Sequence, residues 1–259
     1  MDRTVLLHLH YDGARFAGWQ RQPESRTVQG ELEAVLARLC GGPVPAHAAG
    51  RTDAGVHALG MAVSFTVTER WTPAALRRGL NALLPSDCWV ERAIEVGAGF
   101  HARKSAGERS YRYLVGTDQA ARSPFRRPFE WALGRPLDLD CLHRVSAGLL
   151  GEHDFRSLAV QTGAKLNCRC ELRVARWSDR AVGSGVQFEV SANRFLHHMV
   201  RMLVGTMVDM ALGHRPEEDM TRLLALDPEV RSSPPAPAEG LYFVKADYPS
   251  RWFMEPPTG

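Results

Sequence analysis

The sequence predicts an α+β protein built from two split βαβ halves, on three observations. Apolar residues recur with period two in some segments and at the three-to-four spacing of an amphipathic helix in others. Between Thr4 and Val96 these segments follow the order strand, helix, strand, strand, helix, strand. A similar series of strands and helices runs from Tyr111 to Ala246. Two such halves, 1–104 and 105–259, predict ferredoxin-like, RRM-like units joined into one mixed, mainly antiparallel sheet, with helices on one face and a central cleft.

Taken in order, Thr4 to His10 reads as a strand. Thr27 to Leu39 is a helix, with Val28, Leu32, Val35, Leu36 and Leu39 on one stripe and Gly41 as its stop. Pro43 to Ala48 and Leu59 to Thr66 read as strands flanking a glycine-bearing loop. Thr72 is the N-cap of a second helix with Pro73 at its first position; Leu76, Leu80 and Leu83 continue it until Pro85. Trp89 to Val96 closes the first half. In the second half Tyr111 to Val115 is a strand, Leu139 to Leu149 a helix, and Cys170 to Trp177 and Val186 to Ser191 are strands. Phe195 to Leu212 is a long helix ending at Gly213, Glu217 to Leu226 a short one, and Leu241 to Ala246 the last strand. The prolines Pro234, Pro235 and Pro237 mark a surface loop.

Composition sets the class. An apolar fraction of 44% and a charged fraction of 24% are those of a globular protein, and 259 residues suffice for a buried core. The longest apolar run, Met199 to Met210, is interrupted by Arg201 and Asp209, short of the ~20 residues a bilayer crossing needs. Met1 leads directly into the first strand, so no signal peptide is expected. Five cysteines leave one unpaired under any disulfide scheme, which points to a reducing cytoplasm. Cys168 and Cys170 have no second pair at structural-zinc spacing, so no metal is expected. A net charge of +3 is too small for a blanket nucleic-acid binder, and any such affinity must come from clustering.

The sharpest segment is the loop from Ala49 to Gly60, reading AGRTDAGVHALG. Glycines on either side of Arg51-Thr52-Asp53 open backbone conformations closed to other residues, so a tight turn can present both charged side chains. A carboxylate attacks as a nucleophile when it is ionised and held, and a guanidinium two residues away can favour both. The alternative is that Asp53 simply bonds its own backbone within the turn.

The same string, together with others, resembles the TruA family of tRNA pseudouridine synthases. The resemblance spans nearly the whole chain: Tyr11-Asp12-Gly13 through Phe16, Gly18-Trp19-Gln20 and Gln22, Thr27-Val28-Gln29, the Gly50 to His57 loop, and Gly79-Leu80-Asn81 to Leu84-Pro85. It continues through Phe100 to Arg103, Arg109, Tyr111-Arg112-Tyr113, Phe195, His197 to Arg201 and Gly240-Leu241-Tyr242. The resemblance implies that Asp53 is the nucleophile and that Tyr111 stacks on the target base near the C5 proton. It further implies that Arg51 and Arg201 hold the flipped nucleotide and that Leu241 lines the apolar side of the pocket. It implies action on uridines 38 to 40 of the anticodon stem-loop by a homodimer without metal or coenzyme. That agrees with the chemistry, because the reaction is an isomerisation with no redox change, and the chain carries neither a dinucleotide fingerprint nor a P-loop.

Local charge adds candidate RNA contacts. Between His101 and Arg135 the cations Arg103, Lys104, Arg109, Arg112, Arg122, Arg126, Arg127 and Arg135 outnumber Glu108, Asp118 and Glu130, with Tyr111, Tyr113, Phe125, Phe129 and Trp131 interleaved. Arg103, Arg109 and Arg112, with His197 and His198, are the RNA-binding candidates; packing and hydrogen bonding are the alternative for both histidines, as for His57. Phe16 and Trp19 are expected, through the resemblance, on an RNA-facing loop. Met61, Met202 and the Asn167 to Cys170 run depart from the family pattern and put fine contacts in doubt. Two other classes stay open: a non-catalytic RNA-binding module of ferredoxin-like fold, which has little need of Asp53, and a glycosidase, which would want a second marked carboxylate that is not evident.

Overall fold

The computed structural model describes residues 2–160, 167–180 and 184–253. Among these described residues ten strands and five helices follow in chain order: β1 (Asp2–Tyr11), α1 (Val28–Cys40), β2 (His47–Ala48), β3 (His57–Thr68), α2 (Pro73–Leu83), β4 (Cys88–Val96), β5 (Glu108–Gly116), β6 (Trp131–Ala132), α3 (Leu139–Ala147), β7 (Gly151–Asp154), β8 (Arg169–Asp179), β9 (Val186–Ala192), α4 (Met199–Ala211), α5 (Glu218–Leu224) and β10 (Leu241–Asp247). The α+β class and the mainly antiparallel pairing agree with the sequence. Two compact units result: Met1–Arg109 with Phe243–Gly259, and Ser110–Tyr242. Residues 243–253 thus belong with the first unit.

In the first unit the strands lie in the order β4, β1, β3, β10, with β2 beside β3. β1 runs antiparallel to both β3 and β4. Its position between two partner strands explains why Val5, Leu6, Leu7 and Leu9 are all fully buried. Gly60 in β3 admits β10, because a Cβ there would stand 2.6 Å from the carbonyl oxygen of Val244. Both helices begin as the sequence predicts. Thr27 accepts from the Gly30 amide and Thr72 from the Ala75 amide, each satisfying an otherwise orphaned donor. Gly41, left-handed at φ 80°, ends α1. Leu32, Leu36, Leu76 and Leu80 bring the apolar stripes of α1 and α2 into the core.

The loop from Asp12 to Thr27 is anchored by Arg26. Its guanidinium reaches Asp87 through two bonds of 2.7 and 2.9 Å, meets Glu31 at 2.7 Å, and lies 4.1 Å from the centre of the Phe16 ring. The Arg26 hydrogen bonds hold the Asp87 carboxyl below its usual value of 3.8 despite partial desolvation. Asp87→Asn is expected to lower stability by about 1–2 kcal/mol at neutral pH, because the pairing is bidentate but remains partly screened by solvent. The folded-state pKa lies below the unfolded one, so the contribution is complete above the unfolded value and is lost as pH falls through the folded value. Denaturant titrations of both proteins at pH ~7 and pH ~2 check this: their difference should vanish in acid, and a constant difference would place its origin elsewhere.

In the second unit the order is β5, β9, β8, β7, with β6 parallel to β5. β8 is antiparallel to β7 and β9. Trp177 is buried with its ring 5.0 Å from Phe188, and its indole N–H points to the sulfur of Met207 in α4. α3 is capped by Asp138, whose carboxylate accepts from the Cys141 amide.

Several expectations are corrected. The strand expected over Pro43 to Ala48 is only His47–Ala48; β6 has two residues and the polar β7 four, too few for a period-two signal. The long helix begins at Met199 rather than Phe195, because His198 adopts a left-handed conformation at φ 61°. The cap-type residue nearest that start, Asn193, is engaged elsewhere: its side chain accepts from the Glu171 amide. Phe16 and Trp19 are core residues at 3% and 2% exposure, not an RNA-facing pair. Met61 is likewise fully buried, so this departure lies in the core. All five cysteines are thiols, and among the described residues no helix is long and apolar enough to cross a membrane.

Candidate active site

In the first unit the loop before β3 is fixed at almost every residue. The Ala49 amide donates to Ala62, and the Trp19 amide to the carbonyl of Thr52, at 2.8 and 3.0 Å. The Thr52 hydroxyl is buried and lies 2.8 Å from the phenol oxygen of Tyr11 in β1. The Val56 amide donates to the Asp53 carbonyl at 3.2 Å, closing a turn whose third residue, Gly55, is left-handed at φ 79°. Thr52 therefore points inward while Asp53, next to it, is half-buried and Ala54 exposed.

The sequence assigns the special backbone to Gly50 and Gly55, and the structure moves part of that duty. Gly50 has an ordinary φ, while two glycines of the facing loop let it approach. Gly18, at φ 93°, would place a Cβ 2.6 Å from the Thr52 carbonyl oxygen, and a Cβ on Gly13 would collide with the carbonyl of Val56. His57 is buried and accepts the Gly13 N–H on Nδ1 at 3.0 Å, a packing role that fixes the same pair of loops.

Arg51 is exposed and forms no ion pair among the described residues. Its charge therefore faces solvent beside the turn. Arg109 is turned inward onto backbone: it donates to Ala49 at 3.3 Å, to Ala106 at 3.0 Å, and to Arg103. It ties the start of the Asp53 loop to the segment before β5, a positioning role with an RNA contact still open to its remaining surface. Arg103 is exposed.

In the second unit Tyr111 sits on β5 at 8% exposure, and Phe195 meets it edge to face at 5.0 Å and 81°. The sequence places Phe195 on a helix stripe; its position ahead of α4 makes it instead a wall for Tyr111. The His197 carbonyl accepts from the Val160 amide at 3.0 Å, and the His197 and His198 rings lie 4.1 Å apart. Arg201, in the first turn of α4, donates from Nε to the Ala236 carbonyl at 2.7 Å, while its own carbonyl accepts the Ala236 amide at 2.9 Å. The proline-rich loop thus fixes Arg201. Leu241 is buried at 5%, after Gly240, whose Cβ would stand 2.6 Å from the Tyr113 ring. Arg112 projects beside Glu189 at 3.4 Å, and Glu189 also takes Arg176 at 2.6 Å, so its carboxyl is held below the usual range.

The first unit therefore presents a carboxylate on a rigid turn with a solvent-facing arginine two residues before it. The second supplies a walled aromatic ring, a backbone-fixed arginine and a buried leucine. Phe195 and the Tyr11 hydroxyl were not singled out for these tasks by sequence reasoning. Their signal is present only in their nearness to Tyr111-Arg112-Tyr113 and Arg51-Thr52-Asp53 in space.

The family model described as tRNA pseudouridine synthase matches residues 8–103 and 145–249. Among curated proteins, the chain is 39% identical over 259 residues to tRNA pseudouridine synthase A of Enterobacter sp. (strain 638), covering 98% of this chain and 94% of the relative. Identity is also 39%, over 264 residues and with the same coverage, to tRNA pseudouridine synthase A of Cronobacter sakazakii (strain ATCC BAA-894) and of Escherichia coli O1:K1 / APEC.

Proposed function

Because the chain belongs to the tRNA pseudouridine synthase family, and is therefore an isomerase of uridine in tRNA, we propose that it acts at positions 38, 39 and 40 of the anticodon stem-loop with Asp53 as nucleophile. The observation that carries the reading is the Asp53 turn: a half-buried carboxylate on a backbone held from both sides by β1, β3 and the Gly13 to Trp19 loop.

The reaction breaks the bond from N1 to C1′, turns the uracil, joins C5 to C1′, moves the C5 proton away and returns a proton to N1. Substrate and product have the same atoms and the same oxidation level. A carboxylate divides the reaction into two easier steps by adding to C6 of the base or by capturing C1′ of the sugar. Asp53 takes that part. The target base must first leave its stack, at a cost of a few kcal/mol that contacts to the flipped nucleotide offset. Arg51 and Arg201 take its phosphate and sugar, Leu241 forms the apolar wall, and Tyr111 stacks on the ring beside the C5 proton. Arg103, Arg109, Arg112, His197 and His198 are assigned to the surrounding RNA. The protein works in the cytoplasm as a homodimer, a state that light scattering on the purified chain checks.

Carbodiimide mapping of bulk tRNA from cells with and without this protein tests the reaction and its target together. Pseudouridine is expected to disappear from positions 38 to 40 in its absence. Unchanged modification, with tRNA still bound by the purified chain, would favour a non-catalytic RNA-binding module instead.

A further inference from the structure

The segment joining β5 to β6 contains a turn braced by its own backbone and by a buried ion network. Its backbone is closed by the Arg126 and Arg127 amides, both donating to the Ser123 carbonyl at 2.9 Å, and by the Phe129 amide donating to Arg126 at 2.8 Å. The Arg126 side chain is spent inward: it meets Glu130 at 2.8 Å and Asp118 at 3.0 Å, and donates to the Ser184 carbonyl at 3.0 Å. Glu130, 2% exposed, takes Arg180 as well. The base of the turn is thus cross-linked, and both nearby acids are consumed by that network.

What remains outward is one ring and two cations. Phe125 is 88% exposed, the most exposed large apolar side chain among the described residues. Arg122 and Arg127 are exposed and form no ion pair among the described residues. An aromatic ring held in water on a braced turn gains by being covered, and two uncompensated guanidinium groups select a partner carrying negative charge. A second copy of this chain meeting the same patch about a two-fold axis would bring like charges together. Nucleic acid satisfies both demands at once, offering π-faces and phosphates.

We propose that the Ser123–Arg127 turn is an RNA-contact tip, where the Phe125 ring stacks on an unpaired base of the tRNA and Arg122 and Arg127 take the adjacent phosphates. The proposal rests on the tRNA reading above and adds a binding element that the reaction itself does not require.

Its test is tRNA affinity by fluorescence polarisation, with full-length protein and unmodified tRNA transcript. Phe125→Ala is expected to weaken binding roughly ten-fold, while Phe125→Trp retains it. Arg122→Gln combined with Arg127→Gln is expected to flatten the dependence of log affinity on log salt by about one to two in slope. KM for tRNA should rise with the loss of affinity while kcat stays within about two-fold, as for an interaction made equally in ground and transition states. Unchanged affinity in Phe125→Ala would overturn the proposal, as would a change in its sedimentation coefficient, which would assign the ring to self-association. Tritium release by the wild-type protein is scored separately, so a failure of the isomerase reading is distinguishable from a failure of the tip.

Discussion

Asp53→Ala is expected to abolish release of tritium from C5-labelled uridine in tRNA, by ~10⁴-fold or more, while tRNA affinity changes by no more than about three-fold. The two halves of that expectation have separate physical grounds. Removing a nucleophile leaves only binding and orientation to speed the reaction, and these cannot replace a covalent step. Fold and binding survive because the loop is held by its neighbours: the Thr52 hydroxyl on Tyr11, the Thr52 carbonyl on the Trp19 amide, and the Asp53 carbonyl in the turn. None of these needs the Asp53 carboxylate. Tritium release that persists in the alanine variant would move the nucleophile to another residue. Free uracil as a product of the wild-type protein would mark a glycosidase.

The second large effect is expected at Tyr111. Tyr111→Phe keeps the ring packed edge to face against Phe195 and removes only the hydroxyl, so stability should change by less than about 1.5 kcal/mol while kcat falls by ~10²-fold or more. Tyr111→Ala also deletes the stacking surface. Because the ring is 8% exposed, this variant additionally empties a buried site and should lose about 3 kcal/mol of stability. Comparing the two by denaturant titration and single-turnover kinetics separates packing from chemistry. Wild-type turnover in the phenylalanine variant would remove the proton-transfer role; turnover in a folded alanine variant would remove the stacking role too.

Much of this molecule is written locally. Thr27, Gly41, Thr72 and Pro73 mark helix ends because caps are satisfied within a few residues, so α1 and α2 begin where their sequence says. The Asp53 loop and the motifs around Tyr111 and Arg201 likewise stand out as strings, and they lead to the family and its reaction. Assignments that went astray were those whose partner lies far along the chain. The helix expected from Phe195 begins at Met199, after His198 turns left-handed, and Phe195 is left to wall Tyr111, far back along the chain. Nor does the string show that Arg109, proposed to meet RNA, also donates to three backbone carbonyls, one of them at the start of the Asp53 loop.

By itself, then, the sequence determined the alternation of strands and helices, the caps that bound them, and the carboxylate proposed as the nucleophile. Tertiary structure decided which loops touch, which arginines face water, and which aromatic rings are core. The reason is range: periodicity and capping act over a few residues, whereas the approach of Gly18 to Thr52 or of Arg26 to Asp87 exists only once distant segments have packed.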